Sequence, residues 1–441
     1  MQWGLTMTLD YDGWIILIGV LVAACCAIPG SWLVVRGMGM MGDAVSHAVL
    51  PGIAIGFLVS GTRSGAWMFL GAAIAGILAA VITQVVHHWG RIERGAAMGL
   101  VFTTFFSLGL LLIVQSADSV DLDPNCVLYG AIELAPLDTI SISGMDVPRM
   151  LIPLAAVLIA NVALTGMLFK ELLAAAFDPG LATSQGFDSR WLHYGLMALT
   201  AATCVACFEA VGSIITVALL VAPPAAALLF IRRMKWVIVL AALLGGLAAV
   251  MGHLAALTVP GWILGGNVDT SSSGMMAVAS MAIFLAAAMF APGRGSLARR
   301  WAARRDAMRV AVEDALGLLF RLEERAVTMD RDEVEGLLRS DVRIGGRLAA
   351  VLARLRRGSL AELRGGNWKL TVSGRSEAQS LVRAHRLWET YLAGRASIPS
   401  SHLHAAAERL EHVTDPSLAA QLQREVGDTP DDPHGRPIPP A

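Results

Sequence analysis

The chain has 441 residues, a formal net charge of −1 at pH 7 and a mean hydropathy of +0.61. With 55% hydrophobic and only 16% charged residues, it is too apolar for a water-soluble protein of this length. Charged residues are sparse from Trp14 to Ala291, and the sequence becomes rich in Arg and Glu after Pro292. We therefore expect a membrane region followed by a polar module.

Apolar runs long enough to cross a bilayer recur through the first two thirds of the chain. They predict nine spans, at about residues 14–35, 45–60, 66–87, 96–114, 149–169, 192–208, 212–231, 236–257 and 274–291. Basic residues flank alternate loops, whereas the loop from Gln115 to Arg149 is acidic. Because short basic loops stay in the cytoplasm, we expect the N-terminus outside and the C-terminal module inside.

Asp43 and His47 stand four residues apart in an otherwise apolar segment. On a helix they share one face, with Cβ atoms about 6 Å apart. An ionisable group at the centre of a membrane helix costs about 2.5–3.5 kcal/mol, so such groups face water, a partner or a transported ion. An oxygen and a nitrogen ligand suit a divalent transition metal. A hydrogen-bonded pair that only orients two helices remains the alternative.

Two proline sites also carry structural predictions. Asp178 followed by Pro179 is a favourable helix start, with a capping acid and proline at the first position. Pro223 and Pro224 lie inside an apolar run and predict a kinked or broken helix. The carbonyls freed there could line a cavity or serve only packing.

Four segments resemble the zinc, manganese and iron permeases of ABC uptake systems. They are GDAVSHAVLPG from Gly42, VFTTFFSLGLL from Val101, the segment Leu168–Phe187 and AVGSIITVALLVAPPA from Ala210. The resemblance spans about residues 10–295 and implies import of a divalent metal delivered by an external binding protein. It implies that Asp43 and His47 contact the metal in the path. It also implies that Phe177, Asp178, Pro179 and Gly180 form the segment that couples to the ATPase.

The chain lacks a phosphate-binding loop of the GxxxxGK[ST] type. Its lysines are Lys170, Lys235 and Lys369, and they are followed by Glu, Trp and Leu. We therefore expect a permease without enzymatic activity of its own, served by a separate ATP-binding subunit. A second permease copy or a paired permease is a further expected partner.

The polar C-terminal part predicts two helices, a basic helix, a short hairpin and two further helices. Gly365 and Gly366 between two short alternating runs indicate the hairpin. Helices followed by such a wing are typical of a winged helix-turn-helix. His404, Glu408, Glu411 and His412 form one stripe of a helix, and His385 and Glu389 form another pair four residues apart. They indicate a metal site, with a solvated charged face as the alternative.

This module resembles the metal-dependent repressors of the diphtheria toxin repressor type. The resemblance is carried by DALGLLFRLEER from Asp314, by the segments Leu370–Glu389 and His404–Val413, and by PHGRPIP from Pro433. It implies that metal ligands are provided by Asp314, His385, Glu408, Glu411 and His412, and ancillary ligands by Glu389 and His404. Acids at 314 and 408 are typical of manganese sensors, and hard oxygen ligands favour Mn²⁺ over Zn²⁺ or Fe²⁺.

The DNA-reading segment departs from this family. Arg343, Arg347 and Arg354 could contact phosphates, but Gly345, Gly346 and two alanines stand where the family offers base-reading side chains. Paired glycines also weaken a helix by about 1 kcal/mol each relative to alanine. The sequence therefore favours a metal-sensing or dimerising appendage over a DNA-binding one.

We expect an all-α polytopic membrane protein with eight to nine transmembrane helices, followed by a cytosolic winged-helix and helical dimerisation module. The predicted domains are a permease at 1–295, a basic linker at 296–310, a winged helix at 311–375 and a metal-binding dimerisation domain at 376–441. The favoured function is ATP-driven import of manganese, or of zinc or iron, into the cell through the inner membrane. A membrane-tethered transcriptional regulator and an ion-gradient-driven transporter remain alternatives.

Overall fold

The computed structural model describes residues 9–60, 65–116, 132–142, 145–265, 270–327, 330–341, 344–395, 400–427 and 429–440. The chain divides into two compact units, Met1–Ala298 and Arg299–Ala441. Each unit has a hydrophobic core of its own.

The first unit is built from apolar helices and one short hairpin. Its helices are α1 (Leu9–Val35), α2 (Met41–Ala48), α3 (Leu50–Ser60), α4 (Gly65–Gly90), α5 (Arg94–Ser116), α6 (Leu151–Met167), α7 (Phe169–Phe177), α8 (Pro179–Ser184), α9 (Ser189–Val211), α10 (Ser213–Phe230), α11 (Met234–Leu264) and α12 (Ser272–Phe290). Within the described residues, eight helical segments could span a membrane, with α2 and α3 together forming one of them. The α6–α7 pair, bent by 72°, makes a ninth when it is counted as one span. The expectation of eight to nine spans is confirmed.

Close packing in this unit depends on glycines at helix crossings. A Cβ atom on Gly52 of α3 would lie 2.1 Å from the carbonyl oxygen of Gly71 on α4, and the reverse distance is 2.2 Å. Gly56 approaches the Trp67 carbonyl in the same way. Such contacts let α3 and α4 pack backbone to backbone, as small residues do in membrane helix pairs.

The prolines of α10 do not break the helix, so the prediction of a broken helix at Pro223 and Pro224 is wrong. α10 runs continuously from Ser213 to Phe230. Because Pro224 has no N–H, the carbonyl of Leu220 lacks its usual helical partner. That carbonyl faces Gly30 of α1, where a Cβ would lie only 2.0 Å away. The freed group therefore lies in a helix–helix contact, which is the packing alternative.

The loop between α5 and α6 contains an antiparallel hairpin that the sequence did not indicate. Strand β1 (Thr139–Ile142) pairs with β2 (Met145–Pro148), with Thr139 opposite Pro148. Strands of four residues are too short for an alternation pattern to stand out. The same loop holds an apolar segment, Cys126–Leu134, that is too short to span a membrane and would suit the membrane interface; it lies largely outside the described residues.

The second unit consists of helices around one hairpin. Its elements are α13 (Ser296–Glu324), α14 (Arg331–Ser340), α15 (Leu348–Arg357), β3 (Ala361–Arg364), β4 (Asn367–Leu370), α16 (Val372–Arg395), α17 (Ser400–Leu410) and α18 (Pro416–Val426). The expected hairpin is present, and Gly365 and Gly366 turn it with φ of +60° and +85°. Positive φ at both central residues is what this tight turn requires.

The segment 296–310, expected as a basic linker, is the first half of α13. Alanine and arginine, which make up most of it, are among the strongest helix formers. Residue 311, the predicted start of the winged helix, is where packing begins, because Ala311, Ala315 and Leu319 are buried. The helix itself therefore starts before its buried face does.

Candidate metal sites

The first candidate site lies on α2, which carries Asp43 in its first turn and His47 in its last. His47 Nε2 lies 3.5 Å from Asp43 Oδ1, as the four-residue spacing predicts. The side chains are partly open, with 26% of His47 and 44% of Asp43 exposed. The structure therefore brings an imidazole and a carboxylate together on one side of α2.

The other side of α2 anchors the helix in the core. Met41, Val45 and Ala48 are buried, and a Cβ on Gly42 would lie 2.1 Å from the Leu220 side chain of α10. The His47 ring lies against two rings of α5, with centroids 5.5 Å from Phe102 and 5.3 Å from Phe106. These contacts hold the face that carries Asp43 and His47 in a fixed direction.

The second candidate site is the predicted coupling segment between α7 and α9. Asp178 caps α8, since its Oδ1 accepts a hydrogen bond from the Leu181 N–H at 2.9 Å, and Pro179 opens the helix. This confirms the predicted helix start. Phe177 is 72% exposed and Leu181 half exposed, so two large apolar side chains flank the cap, and no described residue covers them fully.

The third candidate site joins α16 and α17 of the second unit. His385 Nε2 lies 3.1 Å from Glu389 Oε1 and 3.0 Å from His404 Nδ1. His404 Nδ1 lies 3.1 Å from the same carboxylate oxygen. One ligand atom from each of these residues lies within 4.8 Å of the others. We call this His385–Glu389–His404 set the first group.

The second group comprises Asp314 of α13 with Glu411 and His412, whose ligand atoms also lie within 4.8 Å of one another. His412 Nε2 is 3.0 Å from Asp314 Oδ1 and 3.6 Å from Glu411 Oε1. Both His412 Nε2 and Glu411 Oε1 are buried without a hydrogen bond within the described residues. Two orphaned buried ligand atoms converging with a carboxylate fit a dication.

The two groups are linked by one hydrogen bond. His385 Nδ1 lies 2.5 Å from Glu411 Oε2, so the carboxylate of the second group orients the imidazole of the first. Burial disfavours the imidazolium, but the hydrogen bonds to Glu389 and Glu411 outweigh it and raise the pKa of His385 to about 9. Likewise, burial is outweighed by Asp314 and Glu313, which raise the pKa of His412 to about 9.

The structure sorts the sequence-predicted ligands differently from the resemblance. The resemblance put His385 among the metal-ligand positions and Glu389 and His404 among the ancillary ones, whereas the structure places these three residues together in one group. Glu408 belongs to neither group, although it lines the same cavity of about 640 Å³ as Asp314 and His385.

Two residues near these groups, Glu313 and His434, were not predicted from the sequence. Glu313 Oε2 lies 2.7 Å from His412 Nδ1 and so orients that ring. His434 Nε2 lies 3.8 Å from Glu389 Oε1 and lines the cavity. Asp432 positions this tail by accepting bonds from the N–H groups of His434 and Arg436, each at 2.9 Å. The PHGRPIP motif was the signal available for the tail, whereas nothing in the spacing marked Glu313.

The DNA-reading segment is short in the structure. Arg343 lies outside the described residues. Arg347 ends a 3-10 turn that begins at Gly345, and the helix starts only at Leu348. Arg354 is exposed on α15, whose first two exposed positions are Ala349 and Ala350. This end of α15 thus offers methyl groups where base edges would need hydrogen-bonding side chains.

Two family models match the chain. Residues 10–291 match the family described as ABC 3 transport family, and residues 371–440 match the iron dependent repressor, metal binding and dimerisation domain. The second match contains every ligand of the two groups except Asp314.

Relatives share most of their length with the chain. The manganese transport system membrane protein MntD of Bacillus subtilis is 39% identical over 293 residues, which cover 66% of this chain and 96% of that protein. The zinc transport system membrane protein TroD of Treponema pallidum is 37% identical over 370 residues, covering 83% and 97%. The first unit ends at Ala298, so an alignment of 370 residues extends beyond it and the similarity to TroD reaches into the second unit.

A solved structure has a similar fold. The structure described as PsaBC from Streptococcus pneumoniae in complex with Fab matches with a TM-score of 0.52 at 28% identity. The match covers 64% of this chain and 92% of that one. Together with the eight apolar helices, it makes the chain a multi-pass membrane protein.

Proposed function

Because the chain belongs to the ABC 3 transport family, we propose that it is the membrane subunit of an ATP-driven importer of a divalent metal, with manganese as the first candidate. The observation that carries the proposal is the Asp43–His47 pair on α2, a nitrogen and an oxygen ligand 3.5 Å apart in an apolar unit. We further propose that the second unit binds the same metal and adjusts transport.

The partial exposure of the pair supports a path shared with a second permease. Left against lipid, Asp43 and His47 would each carry a cost of a few kcal/mol. A polar path between this chain and a second copy or a paired permease removes that cost. Gly99, Thr103 and Ser107 lie along one exposed stripe of α5, the helix whose Phe102 and Phe106 hold His47. Small residues there would let a second permease approach closely.

Energy is proposed to come from a separate ATP-binding subunit. The capped α8 presents exposed Phe177 and Leu181, which suit an apolar groove on such a subunit. An external metal-binding protein would deliver the ion. We place the N-terminus outside and the second unit inside, because basic residues cluster in alternate loops and after the last span.

The ligand chemistry favours manganese. The second group offers two carboxylates and one imidazole, and hard oxygen ligands suit Mn²⁺ better than soft ones do. The relatives named above are described as manganese and zinc transport proteins, so Zn²⁺ is the competing cargo. Asp314, Glu411 and His412 would hold the regulatory ion, supported by Glu313, and the first group would hold a second ion.

Uptake measurements test the path. We expect Asp43→Ala or His47→Ala to abolish manganese uptake in cells that also carry the ATPase and the binding protein, because each removes one of two adjacent ligands. Thr258→Ala, an exposed position on α11 that belongs neither to the pair nor to the α5 stripe, is the control and should transport normally. Full uptake by either ligand variant, at equal membrane abundance, contradicts the proposal.

Regulation has its own test. We expect Glu408→Ala together with Glu411→Ala to leave uptake insensitive to high internal Mn²⁺, whereas the unmodified chain responds. An unchanged response would remove the sensing role but not the transport role. Metal-dependent, sequence-specific DNA binding would instead favour the tethered regulator, which the short α15 argues against.

A further inference from the structure

The start of α13 is an exposed basic helix that no described residue of its own unit covers. Residues 299–306 are all exposed. They include Arg299, Arg300, Arg304 and Arg305, and Trp301 is 65% exposed. Eight consecutive exposed helical residues mean that no face of this segment packs on the described part of its own unit.

The charges of this segment are uncompensated. Within the described residues, none of its four arginines has an ion pair or a side-chain hydrogen bond. Arginines further along the same unit are paired, as in Arg309–Glu313 at 3.0 Å, Arg331–Glu335 at 3.1 Å and Arg386–Glu324 at 2.6 Å. The sequence contains no acidic residue between Asp269 and Asp306. The segment is therefore strongly cationic.

The side chains have the arrangement of an interfacial helix. At about 100° per residue, Arg300, Trp301, Arg304 and Arg305 fall within an arc of roughly 140°, with Trp301 between the arginines. Indole rings favour the headgroup level of a bilayer, and arginines beside them contact lipid phosphates. The opposite arc carries Arg299, Ala302, Ala303 and Asp306, so three of the four arginines share the face of Trp301.

We propose that this face of α13 binds the anionic headgroups of the leaflet that the last span has just left. α12 ends at Phe290, so Arg299 follows nine residues later and can lie no more than about 30 Å from the end of that span. Clusters of four or more basic residues directly after a span suit anionic lipid. The inference uses the proposed orientation, in which this end faces the cytoplasm.

The chemistry selects a lipid surface over a nucleic acid or an acidic protein. The segment pairs a partly inserting aromatic ring with cations that the chain already holds near the headgroup layer. Each basic side chain near an anionic surface increases membrane partitioning roughly five-fold, so the three arginines on this face together increase it about a hundred-fold. A phosphate ion alone would make no use of Trp301.

Hydrogen exchange of the full chain in nanodiscs tests the proposal. In nanodiscs containing phosphatidylglycerol, we expect the amides of 299–306 to exchange about ten-fold or more slowly than in pure phosphatidylcholine. The difference should vanish at about 1 M salt, where the Debye length is about 3 Å. It should also vanish when all four arginines are replaced by glutamine. A charge-matched control carries glutamine in place of four exposed arginines elsewhere in the unit, and it should still show the difference in exchange. These arginines are Arg339, Arg354, Arg357 and Arg409.

Several outcomes would overturn the lipid assignment. One is equal exchange in the two nanodiscs, which needs no variant to be seen. Others are slowing in phosphatidylcholine nanodiscs on adding inorganic phosphate or double-stranded DNA, without slowing by phosphatidylglycerol. Transport can stay normal or fail in any of these cases, so the lipid contact and the permease function fail separately.

Discussion

Glu411→Gln should weaken metal binding at both groups of the second unit, although Glu411 provides a ligand to only one. Its Oε1 faces His412 in the second group, while its Oε2 holds His385 Nδ1 of the first at 2.5 Å. A carboxylate that orients a ligating imidazole typically contributes 10–100-fold to metal affinity. We therefore expect a loss of that size at the first group and a larger loss at the second, where a ligand disappears.

The same substitution changes the metal-free protein. The pKa of His385 is about 9, raised from 6.5 by Glu389 and Glu411 together. A raised pKa stabilises the fold fully below about pH 6.5, and this contribution is lost as pH rises through about 9. At pH 7 most of it is present and amounts to about 2–3 kcal/mol, and the hydrogen bond to Glu411 supplies part of it. Glu411→Gln should cost about 1–2 kcal/mol near neutral pH and less at pH 9.

Manganese titration followed by electron paramagnetic resonance separates the two groups. The full chain is used in detergent with Asp43→Ala, so that the pair on α2 does not contribute. Asp314→Asn should affect chiefly the second group and Glu389→Gln chiefly the first. Glu333→Gln, an exposed acid on α14, controls for the change in charge. If Glu411→Gln matched Asp314→Asn and left the other group intact, the proposed link through His385 would be refuted.

Three further predictions follow from particular contacts. The affinity of the second unit for manganese should fall about ten-fold or more between about pH 8 and about pH 7. His385 and His412 have pKa values of about 9 and must release protons before they can bind the metal. An affinity that does not change between these pH values would contradict this. Gly71→Val should destabilise the detergent-solubilised chain by about 1–3 kcal/mol, because the new Cβ would meet the carbonyl oxygen of Gly52. Gly99→Ala, which has open space around it, should not change the stability. Equal melting temperatures of the two variants would refute the packing argument. Asp178→Ala should destabilise α8 by about 1 kcal/mol through loss of its cap and lower metal-dependent ATP hydrolysis in the assembled transporter, and unchanged coupling would count against this segment as the docking point.

The sequence predicted the elements whose signal is local. Hydropathy located the spans because each must be apolar along its whole length. Gly365 and Gly366 predicted the hairpin because its turn needs positive φ at both positions. Asp178 and Pro179 predicted a helix start because capping depends on residues within one turn.

What the sequence could not supply were partners across the fold. Four-residue spacing put His385 beside Glu389, but whether the other ring nitrogen meets Asp314 or Glu411 depends on how α13 and α17 pack against α16. Glu313 was missed because it lies next to Asp314, and neighbours on a helix point in different directions. It nevertheless reaches His412 on a separate turn. The position of the tail, with His434 near Glu389, depends likewise on long-range contacts such as the Arg386 bond to the Pro437 carbonyl.

The second unit contains the buried ionisable residues of a metal-binding domain, but its α15 does not present the side chains of a DNA-reading helix. Burying His385, Glu389, Glu411 and Asp314 together costs desolvation that only mutual pairing or a metal ion offsets. Surface residues of a DNA-reading helix carry no such desolvation cost. Here, however, the turn before α15 begins with Gly345 and Gly346, and the first two exposed positions of α15 are alanines. A unit that only filled space would gain stability by replacing the buried ionisable set with apolar side chains. Because that set is present while the described start of α15 exposes alanines, we expect metal binding by this unit to act within the membrane complex. Its effect should then appear in the uptake rate rather than at a promoter.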